Sequence, residues 1–429
     1  MIPLLLFAGF FLLLFLGVPI GAGLALAGAV AIALEGSGFL SLSTTVYTGV
    51  AKYPLLAIPM FVLTGLIFER SGVAARLVAF ALAVVGKRQG ALPAVAIVVA
   101  MFMGGISGSG PATSAAVGAV MTAAMLKEGY PRAFTASVIG AAAATDILIP
   151  PSIAFIVYSI LVPQASVPAL FAAGIVPGIL AGLALIVPAV WLSRRHGFGE
   201  VARDGETRPP LWPAFREAVW GLMAPVVILG GLRGGLFTPT EAAVVAAAYG
   251  LFVGFFVYRT LTLGDLYGLL VEAAEVSGVI LTVVALAGVF AWATATLGII
   301  DPVARGILAL GIGEYGVLAL LIAVLVVIGM FLDGVSTFLI LLPILVPIAN
   351  HFQWDLVWFG VILTMKLAIG QFTPPMAVNL MVTCKIAGTT MEATVRWVGW
   401  LILAMFVALA LVAALPQLAL WIPHTLGYE

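Results

Sequence analysis

A chain of 429 residues, 63% of them hydrophobic and only 8% charged, carries too little polar surface to fold as a water-soluble globule. Eighteen basic residues balance eighteen acidic ones, which argues against a nucleic-acid-binding surface, and the single Cys384 excludes a disulfide framework and any cysteine-rich metal site. With 48 glycines and 25 prolines the composition is that of an all-α polytopic membrane protein.

A helix needs roughly 20 residues to cross about 30 Å of hydrocarbon. Met1 opens directly into an apolar stretch with no basic n-region and no Ala-x-Ala site, so the first helix is expected to remain uncleaved. The first 34 residues are too long for one upright crossing, and Gly17-Val18-Pro19 divides them into helices over 2–16 and 18–34. Residues 35–53 leave the membrane core, 54–70 crosses again, and a short arm over 72–86 carries Arg76 and ends at Lys87-Arg88.

From 90 to 127 the chain re-enters the membrane, breaks at Gly104-Gly105-Ile106-Ser107-Gly108-Ser109-Gly110 and returns to Lys127, Glu128 and Arg132. Basic residues at both ends place both in the cytoplasm, so the segment is a re-entrant hairpin. Residues 133–161 form a helix broken around Thr145, Asp146 and Pro150-Pro151, because consecutive prolines remove two N–H donors and push the preceding residue out of the α region. A helix over 168–192 follows, and 193–216, the most polar stretch, is expected as a cytoplasmic linker.

The second half begins with about 217–231, turns at Arg233 and starts a new helix that runs to Tyr258-Arg259, with Thr238, Pro239 and Glu241 spelling a capping box at its start. Residues 261–275 read as a surface arm and 276–297 as a crossing. A second hairpin over 316–349 breaks at Asp333-Gly334-Val335-Ser336-Thr337; its flanks carry no Lys or Arg, so it opens to the opposite face. A second broken helix over 356–387 contains Gly370-Gln371-Phe372-Thr373-Pro374-Pro375-Met376, and 395–415 is the last crossing.

Sliding the sequence by 229 places Ala75-Arg76 on Ala304-Arg305 and Met101-Phe102-x-x-Gly105-x-Ser107 on Met330-Phe331-x-x-Gly334-x-Ser336, with ten identities in the 34 positions from 74 to 107. Pro150-Pro151 falls on Pro374-Pro375 after a shift of 224. The order of hairpin and then Pro-Pro break in each half predicts two inverted repeats, 1–192 and 217–429, each of about five crossings plus a hairpin. Broken helices meeting near the midplane are the architecture of secondary transporters.

Unwound backbone at membrane depth is tolerated only inside protein or around a ligand, and sodium needs several oxygen ligands. One sodium site is therefore expected in each half: Ser107, Gly108, Ser109, Thr145 and Asp146 in the first, and Asp333, Ser336, Thr337, Gln371 and Thr373 in the second. A substrate between them would meet Ser109, Thr113, Pro151, Thr373, Asn379 and Arg305, with half-helix N-termini attracting a carboxylate. Asp333 is either an ion ligand or a structural partner of Lys366; Lys366, Lys385 and Arg396 are expected to snorkel or cap rather than bind substrate. His196, His351 and His424 lie in a loop or at the membrane boundary and suit neither a proton relay nor a metal site.

The Gly-x-Ser-Gly-Ser-Gly hairpin, the Phe237-Thr238-Pro239-Thr240-Glu241-Ala242-Ala243 helix start and the Thr373-Pro374-Pro375 break, in this order, resemble the large membrane subunit of tripartite ATP-independent periplasmic (TRAP) transporters, the DctM-like M subunit. The resemblance covers essentially the whole chain. It implies an elevator-type, sodium-driven importer of organic acids in the bacterial inner membrane, working with a small four-helix membrane subunit and a soluble periplasmic substrate-binding protein. The small subunit is expected as a separate chain, with both termini of this one in the periplasm. Where many relatives have Gly after the second Pro-Pro, this chain has Met376. Two other readings are a stand-alone inverted-repeat carrier for dicarboxylates or oxyanions, and an intramembrane serine protease using Gly105-Ile106-Ser107-Gly108. The protease would need a histidine base at membrane depth, where none is expected.

Overall fold

Glycines and prolines set the joints of this chain, and the apolar runs between them become helices. The computed structural model describes residues 2–36, 38–86, 88–199, 210–330, 332 and 334–428, with no strand among them. Asp333, Lys87 and most of the polar linker therefore lie outside the described residues.

The chain begins with α1 (Ile2–Phe15) and α2 (Ile20–Glu35), divided at Gly17, whose φ of 81° only glycine adopts readily. The stretch expected to leave the membrane core contains a helix, α3 (Leu40–Val50), rich in Ser and Thr, which packs against a later long helix. Next come α4 (Ala57–Arg70), α5 (Val73–Val85), α6 (Ala91–Ser107) and α7 (Gly110–Lys127). α6 ends where Gly108 turns left-handed with φ 60°, and α7 restarts with Pro111 in its first turn.

α8 (Arg132–Ala143) and α9 (Ile153–Leu161) are separated by residues 144–152, and Ser152 caps α9 by accepting from the Phe155 N–H. α10 (Val167–Arg195) continues through Pro177 and Pro188 for 29 residues. α11 (Leu211–Arg233) leads to α12 (Pro239–Phe252), which starts with a complete capping box and ends in a π turn over Val253–Val257. The arm and crossing expected over 261–297 are one helix, α13 (Leu263–Thr296). No proline interrupts it, and Thr262 and Asp265 close a second capping box at its start.

The remaining elements are α14 (Ile300–Leu308), α15 (Gly313–Gly329), α16 (Gly334–His351), α17 (Leu356–Gly370), α18 (Val378–Ala387), α19 (Met391–Ala414) and α20 (Gln417–Thr425). Among the described residues six helical stretches are long and apolar enough to cross a membrane, and shorter apolar helices make up the broken elements.

Two sets of contacts position the site. α2, α3, α4 and α16 pack on α13, and α4 packs on α12. α8 meets α7, α18 and α19, so the broken elements of the two halves lie side by side. There Thr383 Oγ1 donates to the Ala136 carbonyl at 2.9 Å, and a Cβ at Gly140 would lie 3.1 Å from that hydroxyl. Small residues let such helices approach closely in lipid. The Tyr158 hydroxyl adds a tie by donating to the Leu356 carbonyl at 2.8 Å, joining α9 to the start of α17.

Candidate functional site

At the first break the chain unwinds at 108–109 between α6 and α7 and again at 144–152 between α8 and α9. The last turn of α6 reaches the 144–152 stretch because Gly104 has no side chain: a Cβ there would lie 2.8 Å from the Asp146 Cα. Gly108 repeats the device, with a Cβ 2.5 Å from the Pro151 carbonyl oxygen, and its positive φ also favours glycine. Glycines bring backbone to backbone where any other residue would hold the two stretches apart.

Asp146 is fully buried, and its Oδ2 accepts from Ser107 Oγ at 2.8 Å and from Thr113 Oγ1. Those two hydroxyls lie 3.1 Å apart, and the Ser109 N–H donates to Ser107 Oγ at 3.3 Å. Asp146 Oδ1 has no hydrogen-bond partner. A buried carboxylate with an open oxygen, ringed by hydroxyls, is an oxygen-rich cradle of negative charge, the donor set that a small hard cation takes. Thr145 adjoins it, with its own hydroxyl bonded to the Ala142 carbonyl at 2.8 Å.

The structure thus brings together Ser107, Gly108, Ser109, Thr145 and Asp146. Thr113, expected on the substrate side, instead holds the carboxylate, and Pro151 supports Gly108. Its signal was in the sequence: Thr113 stands in the first turn of α7, six residues after Ser107, near enough to reach the same group.

At the second break Ser336 and Thr337 are buried in the first turn of α16, and Asp333 lies outside the described residues. Gln371 caps α17, and its Oε1 accepts from Asn379 Nδ2 at 3.1 Å. Thr373 Oγ1 donates to the Ile369 carbonyl at 2.6 Å. Lys366 does not snorkel: it is only 1% exposed, whereas Lys385 and Arg396 are exposed. The difference follows from position, since Lys366 stands on a helix buried on every side.

Gly110 joins the halves. A Cβ at this position would lie 2.7 Å from Asn379 Nδ2 and 2.8 Å from its Oδ1, so the start of α7 sits directly against the second break. Beside it opens a cavity of about 360 Å³, lined from both breaks by Ser109, Gly110, Gln371 and Met376, with Ile20 of α2 and Ile280 of α13 opposite. Of the residues expected around substrate, Ser109 lines this space, and Asn379 stands directly behind Gly110 and Gln371. Arg305 does not reach it: α14 buries Ala304 and leaves Arg305 exposed. The apolar wall of Ile20, Ile280 and Leu332 was not legible, because single apolar residues in a chain this apolar carry no local signal.

Over residues 7–418 the sequence matches the family described as tripartite ATP-independent periplasmic transporter, DctM component. The C4-dicarboxylate TRAP transporter large permease protein DctM of Pseudomonas aeruginosa is 39% identical over 407 residues, 94% of each chain. The sialic acid TRAP transporter large permease protein SiaM of Vibrio cholerae is 34% identical over 418 residues, 97% of each. The isethionate TRAP transporter permease protein DctMQ of Oleidesulfovibrio alaskensis is 37% identical over 417 residues; the match takes in 97% of this chain and 65% of that longer relative. In fold, the crystal structure of the Alcanivorax borkumensis YdaH transporter superposes with a TM-score of 0.59 over 89% of each chain, at 14% identity. Matched along nearly its whole length by transport permeases rather than enzymes, this multi-pass membrane protein belongs to the DctM family of tripartite ATP-independent periplasmic transporters.

Proposed function

We propose that the chain is the large membrane subunit of a sodium-driven importer of a small organic acid, working by an elevator motion in the inner membrane with a small four-helix membrane subunit and a periplasmic substrate-binding protein. The observation that carries the reading is Asp146, a buried carboxylate with one oxygen unpartnered, held by Ser107 and Thr113 where two unwound stretches meet. Sodium at Oδ1, shared with Ser107 and the neighbouring backbone, relieves the cost of burying that charge. Ser336, Thr337, Gln371 and Thr373 frame a second cation position at the other break.

The cavity suits a carboxylate. The N-terminal turns of α7 and α18 reach its wall through Gly110 and Val378, and each helix dipole favours an anion by about 1 kcal/mol. The transported acid takes its place among Ser109, Gln371 and Asn379. Relatives named for C4-dicarboxylates, sialic acid and isethionate all handle acids, which supports the substrate class without choosing a member of it. Two inverted repeats, each with a hairpin and a Pro-Pro break, favour an elevator, in which the broken elements slide as a body past α2 and α13.

The test is uptake into proteoliposomes containing this chain and its small partner subunit, with a panel of radiolabelled organic acids. The reading expects uptake that needs both an inward sodium gradient and the binding protein. Uptake with sodium alone would make the chain a stand-alone carrier, and uptake indifferent to sodium would remove the coupling ion.

A further inference from the structure

Among the described residues each break holds one buried ionisable group with an unpartnered atom, and the two are of opposite type. At the first it is Asp146, with Oδ1 free; at the second it is Lys366, whose Nζ has no hydrogen-bond partner. A shift of 224, which aligns the two Pro-Pro breaks, puts Ala142 opposite Lys366, so the first half has no equivalent amine.

The position of Nζ is specific. It fills the space left by the missing side chain of Gly329, the last residue of α15 before the hairpin tip, so a Cβ there would overlap it. Gly370 completes the close approach, since a Cβ on it would lie 2.8 Å from the Gly329 carbonyl oxygen. Gly329 and Gly370 both line the cavity, which places the amine one residue behind its wall. Among the described residues no carboxylate reaches it: Glu314 of α15 is engaged by the Trp354 indole, and the ion pair is the distant Arg70–Glu272, while Asp333 lies outside the described residues.

We propose that Lys366 is a tethered cation: its ammonium supplies at the second break the positive charge that a sodium ion supplies at the first. This rests on the sodium-coupled reading and deepens it. A carboxylate with an open oxygen calls for a cation from solution, whereas an ammonium fixed on α17 excludes one by like-charge repulsion in a poorly screened interior. The transporter then takes up one sodium ion fewer than two oxygen-rich breaks would hold, and its second cation never leaves the protein.

Equilibrium binding of radioactive sodium to the purified full chain in detergent, with choline replacing sodium at constant ionic strength, counts the ions directly. Lys366→Gln removes the charge and offers an amide oxygen; Lys366→Ser is a second variant should the first fail to fold. The expected result is one more sodium ion per chain in the Lys366 variants than in the wild type, and one fewer in Asp146→Asn. The same number or fewer in both Lys366 variants overturns the tethered cation while leaving sodium binding at Asp146 in place. A wild type without saturable sodium binding overturns both.

Discussion

Single atoms decide the chemistry of the first break. Asp146 Oδ1 is buried and unpartnered while Oδ2 holds two hydroxyls, so replacing the carboxylate by an amide keeps the shape and removes the charge. Asp146→Asn is expected to raise the sodium concentration for half-maximal uptake at least about tenfold, each tenfold corresponding to about 1.4 kcal/mol. Gly104→Ala tests the packing instead. Its Cβ would sit 2.8 Å from the Asp146 Cα, a backbone atom with no room to move, and overpacking of this kind costs about 1–3 kcal/mol. Lower thermal stability together with lost uptake is the expected outcome, and unchanged behaviour would mean that α6 and the 144–152 stretch do not meet as described. Ser107 and Asp146 were legible in the sequence because polar residues flanked by glycine or proline stand out in an apolar run. The burial of Lys366, expected to snorkel or cap, was not legible because burial on every side is a property of the assembled bundle, which no local pattern records.

Among the elements, those ended by local chemistry were the most legible. Thr238, Pro239 and Glu241 specify the start of α12, where the Thr238 N–H and hydroxyl both donate to the Glu241 carboxylate at 2.8 Å, and the Glu241 N–H returns a bond to Thr238 Oγ1 at 3.3 Å. Thr238→Ala is expected to lower stability by about 1 kcal/mol, read as a fall in melting temperature, with sodium affinity unchanged because the cap is remote from both breaks. Elements whose existence depends on a neighbour were missed. α3 carries Ser and Thr at five of its eleven positions and is held against α13, and α14 is a short one-sided helix with Ala304 as its buried contact. The division of 261–297 into arm and crossing failed for a different reason. Polar residues such as Asp265, Glu272 and Glu275 mark a change of surroundings and do not break a helix; only proline or a glycine turn does that.

For the molecule as a whole, the cavity is walled on one side by the breaks and on the other by α2 and α13, so an elevator requires these walls to slide past each other. Ile20 and Val378 line the two sides. Joining cysteines at these positions with a bifunctional maleimide, in a Cys384→Ser background, is expected to arrest uptake, whereas modification of either cysteine alone leaves it measurable; full uptake by the joined protein would rule out the sliding. The pairing of one half with the other was legible only as a repeated order of hairpin and Pro-Pro break. The meeting of Gly110 with Gln371 and Asn379 joins residues far apart in the chain and needed the structure. α13 carries a mechanical consequence. At 34 residues it is about 51 Å long, well beyond the hydrocarbon thickness, and it has no joint where its polar first turns give way to the apolar crossing. Its geometry is that of a lever: tilting the crossing by about 10° would swing the roughly 18 Å of polar end sideways by about 3 Å, so an elevator displacement along the cavity wall would carry to that end without any loop to relay it.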